Sequence, residues 1–596
     1  MKKVKNIIQF LAVIMILSLM YQCANPVMPT GGPKDIYPPI PLRSEPQNHS
    51  VNFTSKKVEI TFNEFFDLDN PAQNILISPP MSKQPLYKKR GKKLLIEFRE
   101  DFKPNTTYSI FFGESIKDIT EGNILNNYRY VFSTGQYLDS LGIGGEVIDA
   151  YTLEPQDGVY VMLYIDNNDT VPFDSLPYKV VPKYISRTNK QGIFTLSNLA
   201  EDQYKIFALK EENSNYIFDN KKEKIAFLDT LIQPEVLYRR KVDSLTMDSL
   251  GLDTMAVFQD RPLDSLDIAE GRNTFFKLYL FPNQDTMQVL NKAELVKKGL
   301  IRFSFAQPAE DVTIEALNLK DINKYKIEEF SRDKDTINWY LTNIPTDSLY
   351  LKVEGPSIKT DTVELSLLTK EERTRLALKQ KNNKKEEKER KLPNISYSTN
   401  VNGGYVELNK NLELTFDYPL SKWDFSHSSL IVGEDTISAP LEFTDSIHRH
   451  LLLNEKMKAE TSYQLIIPDS IMQDVRGSLN DSINLSFKTR RQEDYGVLFA
   501  SIKLPEVGPD YILELTSENW KNIVTSHISQ NQIVEYHYLL PGKYRLRLIK
   551  NTGGTDEWLT GNYGKKRQPE KVYLFEKVIE IRANWDVEES WNVSEE

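Results

Sequence analysis

The chain has 596 residues, a formal net charge of −10 with acidic and basic residues well mixed, and a single cysteine. That mixture offers no clustered basic face for a nucleic acid, and one cysteine excludes an internal disulfide, so each domain must be held by its own core. The length allows roughly four to six domains of about 100–200 residues, and short alternating runs of Tyr, Phe, Val, Ile and Thr predict an all-β chain.

Lys2, Lys3 and Lys5 precede an apolar run from Ile7 to Met20. A basic start and an apolar core of this length predict a secretory signal over residues 1–22. The run is too short for a comfortable transmembrane helix, which needs about 20 apolar residues. Met20, Tyr21 and Gln22 lead to Cys23. The arrangement resembles a bacterial lipoprotein signal, which implies cleavage before Cys23 and lipidation of its thiol. A plain signal peptide with an incidental cysteine is the alternative. Residues 23–41 carry prolines at 26, 29, 33, 38, 39 and 41 around Gly31-Gly32. Proline removes a backbone donor, so this stretch reads as an extended, semi-stiff tether.

Strands predicted over 58–62, 94–98, 107–112 and 128–132, with turns at 103–106 and 120–123, make a sandwich of residues 42–136. A second β domain, 142–232, has strands over 145–149, 159–164, 192–196 and 204–208. Residues 236–272 lose the pattern. Asp-Ser-Leu recurs at 243, 248 and 264, and the segment reads as a loosely ordered insertion. A middle β domain spans 274–367, where Ile301, Phe303 and Phe305 alternate, as do Ile337, Trp339 and Leu341. Residues 369–391 are dense in Lys, Glu and Arg and read as a charged helical spacer. Domains at 392–490 and 496–593 complete the chain.

The chain repeats itself. Thr61-Phe-Asn63 is followed by Tyr108, and Thr415-Phe-Asp417 by Tyr463 at nearly the same distance. The stretch from Ser115 to Gly122 matches Ser470 to Gly477, and Phe132-Ser-Thr134 matches Phe487-Lys-Thr489. This predicts a duplicated sandwich. Leu199 and Tyr204 are echoed by Leu539 and Tyr544, which links the second domain to the fifth.

On these motifs, residues 42–136 and 392–490 resemble the SbsA-type bacterial Ig-like domain. Gly145-x-Val147 and Gly192-x-Phe194 resemble carboxypeptidase-regulatory or transthyretin-like modules. The layout, with Pro29-Thr-Gly-Gly-Pro-Lys-Asp35 behind the cysteine, is similar to Bacteroidota Ig-like domain-containing lipoproteins. The resemblance implies a lipid anchor in the outer membrane or another envelope membrane, facing the periplasm or the cell surface. It brings no reaction and no catalytic residues.

Candidates for chemistry are few. His448 and His450, two apart in a strand, offer a shared metal face, against solvated strand residues. Asp67, Asp69 and Asn70, and likewise Asp166, Asn167, Asn168 and Asp169, offer oxygen ligands for calcium, against Asx-rich turns. Trp423, Trp520, Trp558, Trp585 and Trp591 offer a carbohydrate platform, against core and corner residues. No Gly-x-Ser-x-Gly or Walker loop occurs. The expectation is a non-catalytic envelope protein without cofactor or metal, structural, adhesive or scaffolding in role. A surface glycan-binding protein serving an uptake system is the alternative. Its partners would be the membrane through the lipid, and envelope proteins or glycans, with no nucleic acid. The spacers should let the domains move. No buried titratable cluster in a cleft is expected, and the main concavity should lie between domains.

Overall fold

The structure, a computed structural model, describes residues 34–594 apart from 166–170, 214, 221, 237–274, 285–287, 356–357, 370–371 and 374–392. The signal segment, Cys23, the first part of the tether, nearly all of the 236–272 insertion, Asp166–Asp169 and most of the charged spacer lie outside the described residues. What is described is all-β, with short strands, a few one-turn helices and several separate sheets.

The first domain has three small sheets. One runs Pro41–Glu45, Lys57–Phe62, Lys93–Glu97, Leu86–Arg90 in spatial order. Val58, Ile60 and Phe62 point inward and Lys57, Glu59 and Thr61 outward. That alternation is what a half-buried pleated strand requires. Pro41 opens an edge strand, where a missing N–H is harmless. A second sheet runs Leu76–Ser78, Thr107–Phe111, Arg129–Ser133, and Phe66–Leu68 pairs with Ile116–Asp118.

The fourth domain repeats this plan. Tyr397–Thr399, Glu413–Phe416, His450–Leu453 and Leu441–Phe443 follow in the same spatial order, and Leu420–Trp423 pairs with Met472–Asp474. Ser429–Val432, Ser462–Ile467 and Ile483–Lys488 form the other sheet, extended by an added edge strand, Asp435–Ser438. Phe62 and Phe416 are both buried, each in its own core. Tyr108 stacks on Phe132 at 5.3 Å and Tyr463 on Phe487 at 5.1 Å. The two tyrosine hydroxyls accept from the backbone N–H of Lys103 and Lys458, at 2.9 and 2.7 Å.

The shared turn is also built alike. Asp118 accepts from the N–H groups of Glu121, Gly122 and Asn123, and Asp474 from those of Arg476 and Ser478. Gly122 and Gly477 take φ of +77° and +89°, a region in which a side chain is strained. The equivalence runs through the two aspartates, which hold the same place in paired strands. Ser115 and Ser470 are therefore not equivalent, because the turn after Asp474 is one residue shorter.

The second and fifth domains share a plan too. Leu141–Asp149 pairs with Ile193–Leu199, and Gly496–Lys503 with Gln532–Leu539, each with one irregularity at the start. Asn198 and Tyr538, next to the matched leucines, both have positive φ. The hydroxyls of Tyr204 and Tyr544 donate to the carbonyls of Ala200 and Leu540, four residues back, as in the tyrosine corner of sandwich domains. Gly145 has no room for a side chain, since a Cβ there would collide with the carbonyl oxygen of Phe276.

The middle domain packs two sheets around Ile301, Phe303, Phe305, Trp339, Leu349 and Leu351. Its first strand is Leu290–Lys297. Phe275–Pro282, assigned by sequence to this domain, instead pairs with Lys224–Phe227 of the second. Leu278, Leu280 and Phe281 are buried there, while Lys277 and Tyr279 stay exposed.

By packing, the chain falls into two compact units. Of the described residues, the first holds those up to Glu146, in Asp157–Phe207 and in Thr230–Lys277; the second holds those in Val147–Gln156, in Ala208–Asp229 and from Leu278 on.

Candidate functional site

The paired histidines part company. His448 has φ of +59° and sits in the turn before the strand, so the two-residue spacing does not place both on one face. His450 Nδ1 lies 2.9 Å from Glu413 Oε1, while the His448 ring lies 4.5 Å from Trp423 and 5.1 Å from Phe443. Asp67 pairs with Lys89 at 2.8 Å and Asp69 with Lys117 at 3.2 Å. The hydrogen bond from Lys89 holds the Asp67 carboxyl below the usual aspartate range. Asn70, with φ of +40°, starts a one-turn helix. His450, Asp67 and Asp69 are thus each engaged locally. Among the described residues no group of three His, Cys, Asp or Glu is placed to hold a metal ion.

The five tryptophans do not form one platform. Trp591 is in the core of the fifth domain, Trp520 lies against Arg545 and Arg547, and Trp558 against Tyr151. Trp423 and Trp585 are exposed, 38% and 58%, on different domains. Trp423 belongs to a small aromatic patch with Phe443 and His448, rimmed by the exposed Ser421, Asp424 and Thr444.

Two seams of the second unit set paired charges against aromatic rings. Between the middle and fourth domains, Arg449 pairs with Glu329, and Glu329 also accepts from the Tyr340 hydroxyl at 2.7 Å. Burial and that carboxylate push the Tyr340 hydroxyl well above its ordinary value. Tyr340 meets Tyr418 edge-on, the Arg476 guanidinium lies 3.5 Å from the Tyr418 ring, and the Tyr418 hydroxyl donates to Lys298 O at 2.9 Å. The expectation of freely moving domains therefore fails for this pair. A seam filled with rings and paired charge resists opening, because parting it would leave buried groups unmatched.

The second seam joins the 147–156 hairpin to the fifth domain. Arg547 is fully buried and pairs with Glu514 at 3.1 Å. Its guanidinium lies 3.7 Å from the Tyr151 ring and 4.7 Å from Trp520. The Tyr151 hydroxyl reaches Glu514 at 3.3 Å, and burial raises its pKa. Ile512, Ile549 and Val572 supply the apolar floor beneath Tyr151 and Leu153. Titratable groups are thus buried together at a packed seam, whereas the expectation from sequence concerned a cleft. Outward positions on an exposed sheet have become interior ones, since a distant hairpin covers them.

A groove of about 420 Å³ opens on the fourth domain. Ile431, Gln464, Ser486 and Lys488 floor it, and the Gly403-Gly404-Tyr405 turn forms one wall. Gln464 donates to Asn484 Oδ1 at 2.6 Å. Sequence reasoning missed this face, because alternating polar residues on a strand read only as solvent side.

Residues 35–134 match the family model of the bacterial Ig-like domain. No curated protein matches the chain. Similar solved structures include Escherichia coli alpha-2-macroglobulin domains MG0-NIE-MG1, at 14% identity over 30% of this chain and 70% of that one, with a TM-score of 0.15. Domains 1–6 of the surface layer protein SbsC match at 9% identity over 91% and 67%, with a TM-score of 0.12. A Bacteroides ovatus SGBP-B in complex with a mixed-linkage heptasaccharide matches at 9% identity over 66% and 87%, with a TM-score of 0.17. Scores this low carry no functional argument. No helix among the described residues is long and apolar enough to cross a membrane. The chain carries a bacterial Ig-like domain at residues 35–134 within an all-β, multidomain architecture.

Proposed function

We propose that the protein is an exported, lipid-anchored, non-catalytic component of the cell envelope, with a structural, adhesive or scaffolding role. The observation that carries this reading is the construction of the seams. Arg449–Glu329 joins the consecutive middle and fourth domains, and Tyr151 of the 147–156 hairpin packs on the buried Arg547–Glu514 pair of the fifth domain, each joint lined by aromatic rings. Such joints hold modules in fixed register, which suits a strut or spacer. Acid–base chemistry would instead place tuned groups within reach of a substrate in a cleft. The Ig-like match at 35–134 fits an exported chain, and Cys23 supplies the anchor. Two or three acyl chains, at about 0.8 kcal/mol per buried methylene, hold a protein stably on a membrane. Membrane fractionation of Cys23→Ser tests the anchor. Release of the processed variant to the soluble fraction supports it, and retention in the membrane overturns it.

Trp423, 38% exposed and packed on the half-buried Phe443 and His448, favours a second reading, a surface glycan-binding protein. An exposed indole face suits stacking on a sugar ring. Titration of tryptophan fluorescence with soluble oligosaccharides, repeated on Trp423→Ala, separates the two.

A further inference from the structure

In the first domain the outer face of the Leu76–Ser78, Thr107–Phe111, Arg129–Ser133 sheet is covered. Thr107, Ser109, Val131 and Ser133 point away from the core, yet none is more than 5% exposed. The following domain docks there. Ser78 Oγ accepts from Ile185 N at 3.0 Å, and Arg129 donates to Ser197 Oγ at 2.7 Å and to Thr195 O at 3.3 Å.

The tyrosine–phenylalanine stacks fix which residues of the fourth domain hold the same places. Ser462, Gln464, Ser486 and Lys488 stand where Thr107, Ser109, Val131 and Ser133 do. All four are exposed or half-exposed, and all four line the groove. The fifth domain, built like the second, presents the other half of the contact. The matched leucines place Glu535 and His537 at the positions of Thr195 and Ser197, and Ile533 at that of Ile193. Glu535 and His537 are exposed, and Ile533 is 62% exposed. The two faces that dock once within the chain are therefore repeated in backbone position, with Ile431 where Ser78 stands and Asn484 where Arg129 stands, and both repeats are open.

We propose that these two open faces bind each other between molecules. The Gln532–Leu539 face of one fifth domain docks on the Ser429–Val432, Ser462–Ile467, Ile483–Lys488 face of the next molecule's fourth domain. The chemistry is complementary, with the Lys488 ammonium and the Gln464 amide on one side and the Glu535 carboxylate on the other. Because the two faces differ, the contact is head-to-tail and propagates into chains or closes into rings. The inference deepens the scaffolding reading and rests on it.

Light scattering on the full chain in detergent, with the micelle contribution subtracted, tests the idea over rising protein concentration. The wild type should grow in mass beyond the monomer. A groove variant (Gln464→Arg with Ser486→Arg) and a fifth-domain variant (Glu535→Arg with Ile533→Arg) should each lose self-association. Mixed together, they should form a one-to-one dimer, since each keeps one intact face. Glu442→Arg, on the other sheet of the fourth domain, should assemble like the wild type. A wild type that stays monomeric throughout, or variants that assemble like it, overturns the proposal. So does a mixture that fails to pair while both variants keep native circular dichroism. A monomer that Cys23 still holds on the membrane would overturn self-association alone and leave the anchoring intact.

Discussion

The ring of Tyr463 lies on that of Phe487 with centroids 5.1 Å apart and planes 7° from parallel. Phe487 is 2% exposed, and its loss opens a cavity that neighbouring strands cannot fill. Phe487→Ala should cost about 3–5 kcal/mol, carried by the transition that includes the fourth domain. Phe132→Ala should do the same to the first. Calorimetry of the full chain should show one transition moving down in temperature in each variant, a different one each time.

The Arg547–Glu514 pair gives a sharper case. Glu514→Gln leaves a fully buried guanidinium without its counter-charge, and breaking a buried pair from one side costs about 3–5 kcal/mol. The double variant Glu514→Leu with Arg547→Met should recover most of the loss. Urea midpoints followed by tryptophan fluorescence would read both, since Trp520 and Trp558 flank the pair.

At the other seam, Glu329→Ala strips the partner from Arg449 and from the Tyr340 hydroxyl together. The middle and fourth domains should unfold in one calorimetric step in the wild type and in two in the variant. A single step retained in Glu329→Ala would mean the joint does not depend on this charge.

Asp118 supplies a pH dependence. Burial alone would raise its pKa, but donation from the Gly122, Glu121 and Asn123 N–H groups outweighs it and holds the carboxyl below the usual value. A depressed folded pKa adds stability above the unfolded value of about 4, lost as pH falls through the folded one. The first-domain transition should therefore drop steeply below about pH 4. In Asp118→Asn that acid branch should flatten, at a lower Tm near neutrality.

Much of this was legible because cores follow local periodicity. Phe62 and Phe416, Tyr108 and Tyr463, and Leu199 and Leu539 announce themselves by alternation and by repetition at fixed distances. The joints do not. Arg547 and Glu514 alternate outward on their strands like any solvent-facing pair. What buries them is Tyr151, hundreds of residues earlier, and no short-range pattern records that. Phe275–Pro282 was misassigned for a related reason. It follows the insertion in sequence, but its hydrogen bonds run back to Lys224–Phe227.

The fifth domain begins and ends on neighbouring strands. Gly496–Lys503 runs parallel to Asp586–Asn592, paired from Val497 with Asp586 to Lys503 with Asn592. Suppose tension enters at Gly496 and leaves at Asn592. It then slides the two strands along each other and loads the whole ladder of hydrogen bonds at once. Antiparallel neighbours pulled from one end would part a bond at a time, like a zip. The closing domain is thus oriented to resist stretching along the chain.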